Sequence, residues 1–232
     1  MFHKNKTQET TETGGHSGFD GSKSKTYKDQ NINVLLPDSS QGNLAADVVT
    51  VGSAVLGSQV FVELWHPKNR HPNTDGVFGL GIPYVYEEKL PPPPFYKVLS
   101  TAEDQLITLY FGKDKSEIAF GGIDYSLVKT ETIAFAPITV HDCWTIEIER
   151  ITVSGKDICP EGCQAMLDTA AEGIMAPGGQ VLAVRELTRH AKTDGFFSCS
   201  KLAQLPSIKF YIGGKVFELE AKDYAVKVGY NT

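Results

Sequence analysis

The side chains whose types and spacing could do chemistry are four cysteines, six histidines and a single Asp-Thr pair, Asp168-Thr169. Cys159 and Cys163 enclose Pro160, Glu161 and Gly162, a spacing that suits a tight local disulfide at the end of a hairpin. A metal site would need further ligands nearby, and none stands close in sequence. A redox-active pair is the remaining reading and has no supporting feature. Cys143 and Cys199 read as free thiols or an unexpected pair. Among the histidines, His66 and His71 share a loop with Lys68 and Arg70, the pattern of a solvated surface; His3, His16, His141 and His190 are scattered. The stretch Gly14 to Ser24 carries glycines and Lys23, but Ser22 separates Gly21 from Lys23, so the core of a phosphate loop is missing. No metal and no cofactor is implied. Asp168 can be a catalytic acid or a structural carboxylate bonded to nearby backbone donors. The catalytic role needs a second group to share the proton.

These residues must be positioned by a chain of ordinary globular composition. Of its 232 residues 41% are hydrophobic and 22% charged, enough apolar content for a real core in one large or two small domains. A net charge of -6, with no basic stripe, argues against nucleic acid as a partner. No apolar run is long enough to span a bilayer. Met1 to Ser17 is polar and lacks an apolar core, so it reads as a disordered leader and not as a secretory signal. The sequon at Asn5 carries little weight alone, and Pro91 to Pro94 reads as a turn or linker.

Abundant tyrosine and phenylalanine, with frequent Gly/Pro turns, favour strands. Asp47–Gly52 and Gln59–Leu64 are expected as strands joined by a Gly/Ser turn. Leu106–Phe111 and Glu117–Phe120 read as a hairpin, and Ile208–Leu219 as another with Gly213-Gly214 at its middle. Trp144–Val153 reads as one strand, with Trp144, Ile146, Ile148 and Ile151 against a charged side. Phe95–Thr101 reads as a short helix. Gln180–Ala191 is the best helix, with Leu182, Val184 and Leu187 on one face. The class is all-β or mostly β.

Several segments, taken in chain order, resemble the pepsin-like aspartic peptidases. Phe19-Asp20-Gly21-Ser22-Lys23-Ser24-Lys25-Thr26-Tyr27 is similar to the segment soon after that family's first catalytic motif. Asp75-Gly76-Val77-Phe78-Gly79-Leu80-Gly81 resembles its "DGILGLG" turn, and Phe120-Gly121-Gly122-Ile123-Asp124 its "FGGID" segment before the linker between lobes. Trp144 followed by Ile151-Thr152-Val153-Ser154-Gly155 is similar to "W…ITVNG". Cys159 to Thr169 resembles "C…GCQAIVDTG", and Leu205-Pro206-Ser207-Ile208 before Phe210 resembles "LPDIVF". The resemblance covers roughly residues 17 to 228. It implies a bilobal pepsin-like fold, incomplete at both ends: a leader at 1–17, a partial N-terminal lobe at 18–125 and a partial C-terminal lobe at 126–232.

The resemblance also implies a reaction, amide hydrolysis by two carboxylates sharing one proton, one from each lobe. Asp168 matches the second-lobe aspartate. Ala170 stands where the family has glycine, and Ala171 removes the hydroxyl that would orient the carboxylate. No Asp-Thr-Gly occurs in the sequence, so the first-lobe partner is expected to be absent. Aligning Asp47-Val48-Val49 with the family's "DTV" places Leu35 at the flap tyrosine and Leu36-Pro37-Asp38-Ser39 at the glycine-rich tip. The expectation is an aspartic endopeptidase homologue, catalytically inactive as this chain, or alternatively a non-catalytic member that binds peptide or protein. Its partner would be a polypeptide in the interlobe cleft. Family resemblance implies a secreted or lysosome-like setting, which the disulfide reading favours.

Overall fold

The computed structural model describes residues 2–3, 18–36, 38–66, 75–82, 92–141, 143–171, 173–189, 192–193 and 196–227. Most of the loop that holds His66 and His71, the sequon at Asn5, and Pro37, Pro91 and His190 lie outside them, as does most of the expected leader. The chain divides into two compact units, Met1–Asp124 and Tyr125–Thr232.

The first unit is built on a four-stranded sheet. Strand β1 (Phe2–His3) pairs in parallel with β4 (Ala54–His66), β4 pairs antiparallel with β3 (Gln41–Val51), and β3 with β2 (Lys28–Leu35). Helix α1 (Phe95–Leu99) packs near β4 and buries Phe95 and Val98. A separate hairpin joins β5 (Ile107–Phe111) to β6 (Ser116–Phe120). Both faces of β3 are buried from Leu44 to Asp47, which departs from the one-sided alternation of a half-solvated sheet. The cause is the chain before β2, which crosses one of those faces. Phe19 sets its ring edge-on to Phe61, with centroids 5.3 Å apart.

The second unit holds two larger sheets. One has the order β11-β8-β7, from β7 (Ile138–Val140), β8 (Thr145–Ile148) and β11 (Cys163–Met166). The other has the order β10-β9-β14-β15, from β9 (Arg150–Val153), β10 (Lys156–Asp157), β14 (Ile208–Ile212) and β15 (Lys215–Leu219). Helix α2 (Gly178–Thr188), a small pair β12 (Lys192–Thr193) with β13 (Phe196–Phe197), and helix α3 (Ala221–Tyr224) complete it. Leu205 and Ala221 centre a small core with Phe197, Leu202, Tyr224 and Ala225, and the Tyr224 hydroxyl donates to Pro206 O.

Both expected hairpins form, and Gly213-Gly214 makes the second possible. Each has positive φ, and a Cβ on Gly213 would come within 2.5 Å of Phe135 O. Two expectations change. Trp144–Val153 is not one strand: the chain leaves one sheet after Ile148 and enters the other at Arg150. Glu149 sits at the break, its N–H donating to Tyr211 O at 2.9 Å and its side chain accepting from Gly214 N–H at 2.8 Å. On α2, Leu182 does not share a buried face with Val184 and Leu187; it is 61% exposed. The best-buried residue of that helix is Thr188, whose hydroxyl returns to Val184 O.

Candidate functional site

The residues singled out by sequence fall in separate places. Strand β11 pairs with β8 from Cys163↔Ile148 to Met166↔Thr145, and Leu167 N–H continues the ladder to Trp144 O at 2.9 Å. The chain then turns. Ala171 N–H donates to Asp168 O at 3.3 Å, and Ala170 N–H donates to Asp168 Oδ1 at 2.8 Å. The carboxylate thus closes an Asx turn over its own backbone. Asp168, Thr169 and Ala170 are exposed and Ala171 is half-buried. Among the described residues no side-chain hydroxyl donates to Asp168. Around the turn, Met166, Leu167, Ile174 and Met175 are also exposed.

Leu35 ends β2, paired with Gln41 and 70% exposed. A hairpin tip does form there despite Leu36. Leu36 N–H donates to Ser40 O, and Ser39 N–H donates to Leu36 O, with Ser39 at φ 66°. Asp38 accepts from Ser40 N–H at 2.9 Å and from Ser40 Oγ at 2.8 Å. These two bonds hold its carboxyl below the ordinary value. The amides of Leu36, Ser39 and Ser40 are thus bonded within the turn, which differs from a glycine-rich tip that offers its donors outward. Cys159 and Cys163 form a disulfide, which does not include the half-buried Cys143 or the exposed Cys199.

A second acidic centre, which the sequence did not mark as a site, lies within the first unit. Direct pairing of Asp47 with Gln59, Ala45 with Phe61 and Asn43 with Glu63 puts these residues on one face of the sheet. Asp47 and Glu63 are buried, at 5% and 1% exposure. Asp47 Oδ1 accepts from Ser24 Oγ at 2.9 Å, from Thr26 Oγ1, and from Val48 N–H at 2.7 Å. Tyr27 donates its hydroxyl to Glu63 Oε2 at 2.7 Å. Burial works to raise the Asp47 pKa, but the Thr26 and Ser24 hydroxyls and the Val48 amide outweigh it and leave it lowered. Burial, and next the bond to Glu63, push the Tyr27 phenol well above its ordinary range. Ser24, Thr26 and Tyr27 lie within a segment that carried the resemblance, and the bend at Lys25 and Thr26 turns both hydroxyls onto Asp47.

On the second unit's sheet, Arg150, Thr152, Asp157, Lys209 and Tyr211 line an open hollow of about 350 Å³. Arg150 stacks over Tyr211 at 4.1 Å and faces Asp157 at 3.7 Å, while Lys209 faces Glu218 at 3.6 Å. Each cation meets a carboxylate, so the hollow presents no excess charge to an ion. Among the described residues no cluster of three His, Cys, Asp or Glu could hold a metal. None of their helices is long and apolar enough to cross a membrane.

The mostly β architecture is what the resemblance implied. The family profile described as eukaryotic aspartyl protease matches residues 2–232. Pepsin A of Gallus gallus is 32% identical over 225 residues, covering 91% of this chain and 60% of the relative. Napsin-A of Homo sapiens is 31% identical over 208 residues, covering 82% and 48% respectively. Pregnancy-associated glycoprotein 4 of Ovis aries is 32% identical over 197 residues, covering 81% and 51%. The chain belongs to the eukaryotic aspartyl protease family, with a mostly β, pepsin-like fold. It spans about half to three-fifths of the length of these relatives.

Proposed function

We propose that this chain is an aspartic endopeptidase homologue that does not itself hydrolyse peptide bonds, its two units corresponding to partial lobes. The observation that carries this reading is the surrounding of Asp168. Hydrolysis by a carboxylate pair needs one carboxylate to take a proton from water while the other, protonated, polarises the carbonyl. Such a pair works only when donors fix each oxygen and proximity splits the two pKa values. Asp168 instead accepts one backbone N–H, from Ala170, and stands exposed. Ala171 has no hydroxyl to hold the second oxygen in place, and Ala170 adds a methyl to the turn. At the hairpin tip, Leu35 has no phenol, and the amides of Leu36 and Ser39 are bonded internally.

The alternative within the family is a chain that binds a polypeptide without cutting it. Met166, Leu167, Ile174 and Met175, exposed on either side of the Asp168 turn along the chain, favour that reading, because exposed large apolar side chains are suited to protein contact. The Cys159–Cys163 bond supports a secreted or lysosome-like setting, where disulfides persist. The test is cleavage of a denatured protein substrate at acidic pH, with and without a pepstatin-type inhibitor, using chain shown to be folded. We expect no turnover. Inhibitor-sensitive cleavage would overturn the proposal and point to two copies each contributing Asp168.

A further inference from the structure

We propose that Asp47 is an acid-released catch that holds residues 18–27 against the sheet of the first unit. This segment lies across the face carrying Asp47, Gln59, Phe61 and Glu63. Its aromatic contact is Phe19 against Phe61, with the Tyr27 ring 5.8 Å from Phe19. Its polar attachments end on carboxylates: Ser24 and Thr26 on Asp47, and Tyr27 on Glu63. A helical turn at Gly21–Lys23, capped by Asp20 accepting from Ser22 N–H at 3.1 Å, brings Ser24 back toward the sheet.

Three donors converge on one oxygen of Asp47. Such convergence is favourable when the oxygen carries charge, because charge-assisted hydrogen bonds are about twice as strong as neutral ones. A protonated carboxyl is a weaker acceptor and brings an O–H that needs its own partner in a place crowded with donors.

The ionisable groups bearing on this face come from each element around it. They are Tyr27 on the segment, Asp29 at the start of β2 and Glu63 on β4, with Tyr27 feeling the charge of all three carboxylates. Lys28 stands opposite Ala46, and Lys97 of α1 donates to Ser58 O, across from Val48. The partners of Asp47 among the described residues are hydroxyls and an amide. Its charge is therefore held by dipoles, and protonation removes what they hold.

The sign follows from the lowered pKa. A carboxyl whose folded value lies below its ordinary 3.8 contributes stability that is present above 3.8 and lost as pH falls through the lower folded value. The catch is closed at neutral and mildly acidic pH. It opens in strong acid, baring Phe61 and the acidic face beneath the segment. This is independent of whether the chain cleaves peptides.

The test is hydrogen exchange followed by mass spectrometry on the full chain between pH 6 and pH 2, read as protection relative to intrinsic rates. Strands β3 and β4 of the first unit serve as the internal reference. Protection across residues 18–27 should fall steadily below pH 3.8, by at most about sevenfold at pH 3 and further at pH 2, while the reference holds. Asp47→Asn should show the low protection already at pH 6 and little change with pH. Should that variant fail to fold, Ser24→Ala with Thr26→Val removes two donors and should weaken protection of the same segment at pH 6. Equal protection of wild type and variant at both pH values would overturn the proposal. So would loss of the reference strands together with the segment, which would mean global unfolding instead of local release.

Discussion

Two aspartates of this chain sit in opposite circumstances. Asp47 is buried under a crossing segment and takes two side-chain hydroxyls and an amide on one oxygen. Asp168 stands in an exposed turn and takes one amide. The same side chain is a fixed, charge-bearing anchor in one unit and a local turn-former in the other. What separates them is the supply of hydroxyl donors: Ser24 and Thr26 reach Asp47, whereas Ala170 and Ala171 offer Asp168 none. A carboxylate's role is therefore set by its neighbours, and the contrast can be tested by changing either side.

The largest effect should come from Asp47→Ala, which removes the buried acceptor that the Ser24 and Thr26 hydroxyls and the Val48 amide share. We expect a loss of about 3 kcal/mol from the first unit's stability, read by chemical denaturation. Opening the Cys159–Cys163 loop with Cys163→Ala should cost about 2 kcal/mol, the chain-entropy value for so short a loop, and calorimetry would show it as a lower melting temperature. Tyr27→Phe leaves the Glu63 carboxylate without one of its donors and should cost about 1–2 kcal/mol in the same denaturation assay. Between these lies a pH effect: the wild-type melting temperature should drop as pH falls below 3.8, and Asp47→Asn should flatten that limb. The smallest effect belongs to the other aspartate. Asp168→Ala should change stability by no more than about 0.5 kcal/mol, because its single bond is exposed and local. A loss as large as that of Asp47→Ala would erase the distinction.

How much of this was legible in the sequence depended on local signals. The hairpins β5–β6 and β14–β15 were readable because alternation flanks compact turns. Strand β2 was not, since Lys28–Leu35 is polar and almost wholly exposed, so no apolar face marks it. Its pairing comes from β3, a tertiary cause. The single strand expected at 144–153 hid a phase slip: Trp144, Ile146 and Ile148 are spaced by two, but Ile151 follows after three. That odd step is the bend at Glu149. Asp168 and the Cys159–Cys163 pair were visible by type and spacing. The Asp47 centre was visible only as scattered resemblance, because hydroxyls and carboxylates more than twenty residues apart meet through the crossing of one face.

The bend at Glu149 also limits how this chain can vary in length. Glu149 ties the strand-to-strand step to both Tyr211 and the Gly214 turn, so the two sheets share one register. A single deletion between Thr145 and Val153 would rotate every later side chain of that run to the opposite face. The turn at Ser154-Gly155, exposed and with open space around Gly155, could absorb an inserted residue. Length variation in this unit should therefore collect at 154–155 and avoid 145–153, a pattern that a library of single-residue insertions and deletions scored for folding would display.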